Sequence, residues 1–259
     1  MPTGLGGEQM WISATNDNTG TSSAFNDQSG QGNNGTSVGA TVVSDTSSGG
    51  TYAFEFDGIS DAISTPFADT ATTSTGVFSM ACWVKYDAVF SNAALLSGNL
   101  STAKTSLVMY FDTYSSSRGT GGLLNPNVSG IYDGQCYAAD RDLVLTGQWY
   151  HVAYTGDGST ARLYVDGSEV DNAAQTRTSS SAWNNTLQMG RYITGTNTVG
   201  GHLDGRMDDA RVYTRTIDQD EISHLATSRG IEGSPGGENY SPFRNAKYIN
   251  KTYQIPRFG

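Results

Sequence analysis

Between Trp149 and Gly167 the chain carries two short runs of β-branched and aromatic residues, Trp149-Tyr150-His151-Val152-Ala153-Tyr154 and Ala161-Arg162-Leu163-Tyr164-Val165. The residues between them, Thr155-Gly156-Asp157-Gly158-Ser159-Thr160, are of turn-forming type and too few to be anything but a hairpin connection. Asp166-Gly167 closes the second run with another turn signal. A second segment, Phe78 to Tyr86, places Met80, Cys82 and Val84 on one face and Ala81 and Trp83 on the other. With both faces apolar it is expected to be a central strand covered on each side.

The rest of the chain is read the same way. Residues 1 to about 50 form a polar N-terminal segment joining the main body, with Met10-Trp11-Ile12-Ser13-Ala14 as its first strand and a turn expected over Asn26 to Gly35. Tyr52 to Asp57 alternates aromatic with small or polar side chains, the period of a half-buried strand. Ala94–Ser97 and Ser106–Phe111 supply further strands, 112 to 142 is irregular, and Leu187–Arg191 and His202–Tyr213 complete the set. A helix is expected from Asp218, with Glu221 three residues on as in a capping box and Ile222 and Leu225 on one face, running to about Ser228 and ending before Gly230.

These segments resemble the laminin G-like, concanavalin A-like jelly-roll domains. The motifs are the Trp149–Gly167 hairpin, Phe56-Asp57-Gly58 with Asp61 and Ile63, the Phe78–Lys85 strand, the Asp204–Tyr213 strand and the Thr216–Ile222 turn and helix. The resemblance covers roughly residues 50 to 228. It implies an all-β antiparallel jelly-roll β-sandwich with one short C-terminal helix. The parts are then 1–50, a sandwich over 51–229, and an extended C-terminal arm over 230–259. Domains of that kind usually bind and seldom catalyse, so fold alone does not name a ligand.

Composition narrows the partners. Charged residues are 15% of the chain, below the ~25% of an ordinary globular protein, and Ser, Thr, Asn and Gly fill the deficit. That suits an extracellular or virion-exposed β protein. The net charge of −10 argues against nucleic acid as main partner, since phosphate binding needs a concentrated positive surface. No run approaches the ~18 apolar residues of a membrane span, and Met1–Glu8 has neither the basic nor the apolar region of a secretory leader. Synthesis in the cytoplasm combined with a surface-type composition points towards a virus particle. Cys82 reads as a buried small thiol, and a disulfide to Cys136 is neither required nor excluded.

Catalytic motifs are not found. Glycoside hydrolysis needs two carboxyl groups flanking the bond, and jelly-roll glucanases set theirs on one strand as E-x-D-x-E, an arrangement missing here. Asp140 and Asp142 read as a solvated loop, and His151, His202 and His224 are scattered without a nucleophile elbow. By resemblance, one structural calcium ion is expected where the first core strand meets the last, held by Asp57 and Gly58 on one side and Asp208 or Asp209 on the other, with Asp61 and Asp204 as further candidates. Calcium seeks about six to eight hard oxygens. The alternative is that these carboxylates cap turns or pair with Arg206 and Arg211.

For glycans, Tyr114, Tyr132, Tyr137, Trp183 and Asn184-Asn185 lie in loop-like contexts, whereas Trp83 and Trp149 are expected in the core. The arm is a different material. From Tyr240 onward it carries four basic residues and no acid, +4 against −14 for the remainder. Its aromatic and basic residues, Tyr240, Phe243, Arg244, Lys247, Tyr248, Lys251, Tyr253, Arg257 and Phe258, suit docking on a neighbouring subunit. The leading expectation is a non-enzymatic virion surface protein (a capsid decoration, fibre or tail-associated module), oligomeric in the particle. The arm would dock on other virion proteins, and the sandwich would face host glycans without nucleic-acid binding or membrane insertion. The alternative is a carbohydrate-binding or adhesion module of a bacterial extracellular protein. The third is a divergent glycosidase.

Overall fold

A computed structural model describes residues 5–17, 23–68, 75–88, 93–98, 107–112, 123–127, 146–175, 186–193 and 199–232. In chain order the strands begin with β1 (Glu8–Ile12), β2 (Ala24–Phe25), β3 (Gly35–Val38), β4 (Thr41–Ser44), β5 (Tyr52–Asp57) and β6 (Ala62–Thr65). β7 (Val77–Ala88), β8 (Ala93–Gly98), β9 (Leu107–Asp112) and β10 (Leu123–Asn127) follow. The hairpin region gives β11 (Trp149–Asp157), β12 (Thr160–Val165) and β13 (Ser168–Ala174). Last come β14 (Leu187–Met189), β15 (Tyr192–Ile193), β16 (Val199–Gly200) and β17 (Asp204–Tyr213). Two short helices, α1 (Ala14–Asp17) and α2 (Gln219–Leu225), accompany them.

Two antiparallel sheets make a sandwich. One runs β13-β12-β11-β7-β17-β5-β4, with β1 also paired to β17, and the other runs β10-β9-β8-β14-β6-β3-β2. The alternation expected for β7 holds: Met80, Cys82 and Val84 enter the main core, while Ala81 joins a second apolar cluster on the outer side. β7 is central, paired with β11 on one edge and β17 on the other. The core between the sheets includes Phe54, Phe56, Tyr86, Val152, Tyr154 and Leu163, each essentially without solvent exposure. Burial of each such side chain contributes about 1.5–3 kcal/mol, and Phe25 on Phe54 and Phe78 on Tyr154 add ring contacts at 4.6 and 5.2 Å.

The polar N-terminal segment is woven into both sheets, since β1 and β4 join one and β2 and β3 the other. Its turn is built by Asp27, whose buried carboxylate accepts the N–H groups of Trp11 (2.8 Å), Ser29 (3.0 Å) and Asn33 (2.8 Å). Several local expectations shift. The hairpin turn is shorter than the run of turn-forming residues suggested, because cross-strand pairing continues through Thr155 and Gly156 and leaves Gly158-Ser159 as the connection. Trp149 is half-buried instead of core, and α2 stops at Leu225. Cys82 is fully buried, while Cys136, residues 113–122 and 128–145, and the whole of the arm from 233 lie outside the described residues.

A bulge in β17 decides what the second apolar cluster packs against. Strict alternation after Met207 would turn Asp209 and Arg211 into the core. Instead the register against β7 shifts between Asp208 and Arg211, with Asp209 in the left-handed region at φ 54°. Ala210 and Val212 therefore face the core with Met207, and Arg211 and Tyr213 are delivered to the outer side. There α2 lays Ile222 and Leu225 against Tyr213, Tyr164 and Ala153.

Candidate functional site

Asp57 ends β5 opposite Asp204 of β17. Its Oδ1 accepts the N–H groups of Ile59 (2.9 Å), Ser60 (2.8 Å) and Asp61 (3.0 Å), and Oδ2 the Ser60 hydroxyl (3.2 Å). The Ser60 N–H, then those of Ile59 and Asp61, outweigh a small effect of burial and hold the carboxyl at a pKa of about 2. Gly58 sits at φ +71°, and a Cβ there would stand 2.8 Å from Asp204 Cβ, so the turn requires glycine. Ile59 at the tip is 77% exposed. Burial, followed by the neighbouring charge of Asp57, raises the pKa of Asp61.

Asp208 and Asp209 belong to a different place. Asp208 is four positions along β17 from Asp204, about 13 Å at ~3.3 Å per residue. It is fully buried, and its Oδ1 accepts Ser13 Oγ (3.0 Å), the N–H of Ala14 (2.8 Å) and the N–H of Asp209 (2.8 Å). Its Oδ2 accepts Thr15 Oγ1 (2.5 Å) and Arg229 Nη1 (3.4 Å). Burial first, and the Asp209 charge second, push it up to a pKa of about 6. Asp209 takes Trp11 Nε1 (2.5 Å), Arg211 Nε (2.9 Å) and the N–H of Gly230 (3.1 Å).

Two buried guanidiniums complete this clasp. Arg211 lies 3.9 Å over the Trp11 ring and donates to the Ile231 carbonyl. Arg229 lies 4.1 Å over the Trp149 ring and donates to the carbonyls of Ser47 (2.8 Å), Tyr52 (2.9 Å) and Asp45. Asp45 also accepts Arg206 at 3.0 Å. Burial raises the Asp45 pKa, but the Ser47 hydrogen bonds, then those of Arg206, bring it down to about 2.

The structure therefore does not bring Asp57 and Gly58 together with Asp208 and Asp209. The carboxylate oxygens of all three aspartates are engaged by protein donors. Among the described residues no group of three or more His, Cys, Asp and Glu side chains is placed to hold a metal. These residues do not fit a calcium ion. Physically they behave as the alternative reading has it, Asp57 as a turn cap and Asp208 and Asp209 as partners of buried arginines.

Of the aromatic candidates, Tyr114, Tyr132, Tyr137, Trp183 and Asn184-Asn185 lie outside the described residues, as does the docking arm Tyr240 to Phe258. Trp83 is buried and donates its indole N–H to the Leu225 carbonyl (3.2 Å). His151 and His224 are buried, and His202 is half-buried near Asp61.

Sequence reasoning missed a polar row across the β2–β10 sheet. Leu187 and Met189 enter the core, so Gln188 points to the outer face, where the register sets Ser64 on one side and Ser97 on the other, with Thr36 beyond Ser64. The Gln188 amide nitrogen donates to Ser64 Oγ (2.8 Å) and Thr186 Oγ1 (2.9 Å), and its oxygen accepts Arg191 Nε (3.1 Å). The sequence signal was present in the alternation Thr186-Leu187-Gln188-Met189, but it is too short to show which neighbours the polar side chains meet across the sheet.

The family model described as the concanavalin A-like lectin/glucanases superfamily, of laminin G type, matches residues 56–223. The chain belongs to this superfamily. Its sandwich is similar to domain 4 of an extracellular arabinanase from Geobacillus stearothermophilus, solved in complex with arabinotriose. That likeness has 19% identity and a TM-score of 0.59, and covers 87% of this chain and 100% of that one. It is also similar to Trypanosoma rangeli sialidase in complex with sialic acid (15%, TM-score 0.57, 84% of this chain and 32% of that one). A third is the binding domain of botulinum neurotoxin DC in complex with SialylT (11%, TM-score 0.57, 86% and 51%). The chain thus spans about a third of the sialidase and half of the neurotoxin binding domain. At these identities the likeness is one of fold. No curated protein matches the chain in sequence. The laminin G-like sandwich is a lectin-like jelly roll, as expected from its motifs.

Proposed function

We propose that this laminin G-like domain binds carbohydrate and does not cleave it. The observation that carries the reading is that 87% of this chain matches the whole of domain 4 of the arabinanase, solved in complex with arabinotriose. In the row that ends at Arg191, Gln188 and Ser97 are buried and already hydrogen-bonded, which leaves the more exposed Thr36, Ser64 and Arg191 as the polar groups this face can offer to a sugar. Against cleavage, three carboxylates of the β5–β17 region are already engaged within the protein. Asp208 is enclosed by Thr15 and Arg229, Asp209 by Trp11 and Arg211, and Glu55 is paired with Arg206 at 2.9 Å. A glycan array, with assay of reducing ends released from the same polysaccharides, tests this. Binding without turnover is expected. An array without any bound glycan, or sustained hydrolysis, would overturn the reading.

For the whole protein we propose display on a virion surface, with bacterial extracellular display as the alternative. The charge contrast between the arm from Tyr240 onward (+4) and the remainder (−14) favours docking of the arm on a neighbouring subunit. The chain is gripped up to its threshold: Gly230 N–H by Asp209, the Ile231 carbonyl by Arg211, and the Glu232 side chain by Asn16 at 3.3 Å. A chain ending at Glu232 is expected to fold and to be lost from particles; unchanged incorporation would exclude the anchor.

A further inference from the structure

Six arginines fall among the described residues, and five are ion-paired. Arg162 meets Asp157 (2.8 Å), Arg206 meets Asp45 and Glu55, Arg211 meets Asp209, Arg215 meets Glu221 (2.6 Å), and Arg229 meets Asp45 and Asp208. Arg191 is the exception, having no carboxylate within ion-pair distance among the described residues. On a chain with 25 acidic side chains against 15 basic ones, an arginine left without a carboxylate is unexpected. Its guanidinium is also half-buried, and burial pushes its pKa down, which marks a charge partly stripped of water without compensation from a counter-ion.

The group is nonetheless held in one orientation. Gly190, at φ +79°, turns the chain out of β14 at a point where a Cβ would stand 2.5 Å from the Phe56 ring. The bend is pinned on both sides: Gly190 N–H donates to the Leu95 carbonyl (3.0 Å), its carbonyl accepts Leu203 N–H (2.8 Å), and the Arg191 carbonyl accepts Ser97 Oγ (2.9 Å). At the side-chain end, Gln188 has both amide hydrogens committed to Ser64 and Thr186, which fixes its oxygen towards Arg191 Nε. One nitrogen of the guanidinium is therefore used for positioning, and the two terminal nitrogens, without a partner among the described residues, form a pre-oriented pair of donors. Such a pair matches the two oxygens of a carboxylate, and a ligand that supplies them recovers the electrostatic energy the folded chain forgoes.

We propose that Arg191 is the anchor for the carboxylate of an acidic sugar, with Gln188 as its positioning residue. The proposal rests on the carbohydrate-binding reading and deepens it by naming a substrate class, glycans bearing a sialic or uronic acid. It also accounts for an otherwise acidic domain being able to approach an anionic glycan, because the positive charge is presented at one point.

The test is calorimetric titration of the full chain with matched acidic and neutral ligands, 3′-sialyllactose against lactose and trigalacturonate against galactotriose. The acidic member of at least one pair is expected to bind ten-fold or more tightly than its neutral partner. In Arg191→Gln that ratio is expected to collapse towards one, and Arg191→Lys, which keeps the charge but not the fork, is expected to recover part of it. Thermal melting of both variants reports that the fold is retained. Equal affinity for acidic and neutral members, or an undiminished ratio in Arg191→Gln, would overturn the assignment. A glycan array positive only for neutral sugars would overturn it too while leaving carbohydrate binding in place, whereas a blank array removes both.

Discussion

At the scale of single residues, this domain buries several ionisable groups, among them His151, Asp208, Arg211 and Arg229. His151 is 2% exposed, its ring lies edge-on to Trp83 at 5.5 Å, and its Nδ1 has no hydrogen-bond partner among the described residues. Burial, then the nearby Arg211 charge, pulls its pKa down to about 3. The unfolded chain therefore binds a proton at His151 below about pH 6.5 while the folded chain does not, so this residue's contribution to stability is present at neutral pH and falls as pH drops towards 3. Between pH 7.5 and 5 the loss is about 2 kcal/mol from this group alone. Asp208 acts in the opposite sense. Its folded-state pKa lies above that of an ordinary aspartate, so its contribution is largest in acid and is lost as pH rises through about 6. The two effects partly cancel in the native protein. The informative quantity is the difference between wild type and His151→Phe in denaturant titrations at the two pH values. Wild type should lose about 2 kcal/mol relative to the variant on acidification, and parallel behaviour of the two would show that His151 is not held neutral.

At the scale of elements, α2 is the piece whose formation is most local. Asp218 accepts the N–H of Glu221 (2.9 Å), and the Glu221 carboxylate accepts the N–H of Asp218 (2.9 Å), so the capping box read from the sequence is present with both bonds made. Glu221 also pairs with Arg215, which ties the helix start to the end of β17. Asp218→Ala should cost about 1 kcal/mol, measurable as a lower denaturation midpoint with unchanged slope. A midpoint equal to wild type would mean that the outer apolar cluster, and not the cap, fixes the helix. The β17 bulge is the contrasting case. Met207-Asp208-Asp209-Ala210-Arg211-Val212 read with period two gives the wrong face to half its residues. The extra residue at Asp208-Asp209 corrects it, and that correction is driven by Trp11, Ser13 and Thr15, nearly 200 positions away in sequence.

At the scale of the molecule, the first and last described segments close on one another across the outer side of the β13–β4 sheet. Arg229 carries this closure. A chain ending at Glu232 retains Arg229 and the Arg211–Ile231 contact, and is expected to melt close to the full-length protein. A chain ending at Ser228 leaves Asp208 without its buried cation while Asp45 keeps Arg206, and should lose about 3–5 kcal/mol, the cost of breaking a buried ion pair on one side. If the two truncations melt alike, the clasp contributes nothing to stability. Much of the architecture was legible beforehand: the Trp149–Gly167 hairpin, the two-faced β7 and the terminal strand with its capped helix are all local patterns of period two or of turn chemistry. The site was not. Asp57, Asp204, Asp208 and Asp209 look alike as Asp residues near strand ends, and only register separates a turn cap from a buried partner of arginine.

The sequence by itself settled the strands with strong local patterns (β1, β5, β7, β11, β12 and β17) and the capped helix, because these depend on side chains within a few positions of one another. By contrast, β2, β3, β4 and, within the stretch read as irregular, β10 were not legible in it. Tertiary structure alone decided which charges are paired. Asp208 and Asp209 meet Arg229, Arg211 and Trp11 only after β1, β17 and the segment beyond α2 converge. Arg191, turned out of β14 at Gly190 and held by the Gln188 amide, has no carboxylate partner among the described residues, unlike the other five described arginines. Ionic pairing depends on distance in space and on exclusion of water, and neither is a property of neighbouring letters in a chain.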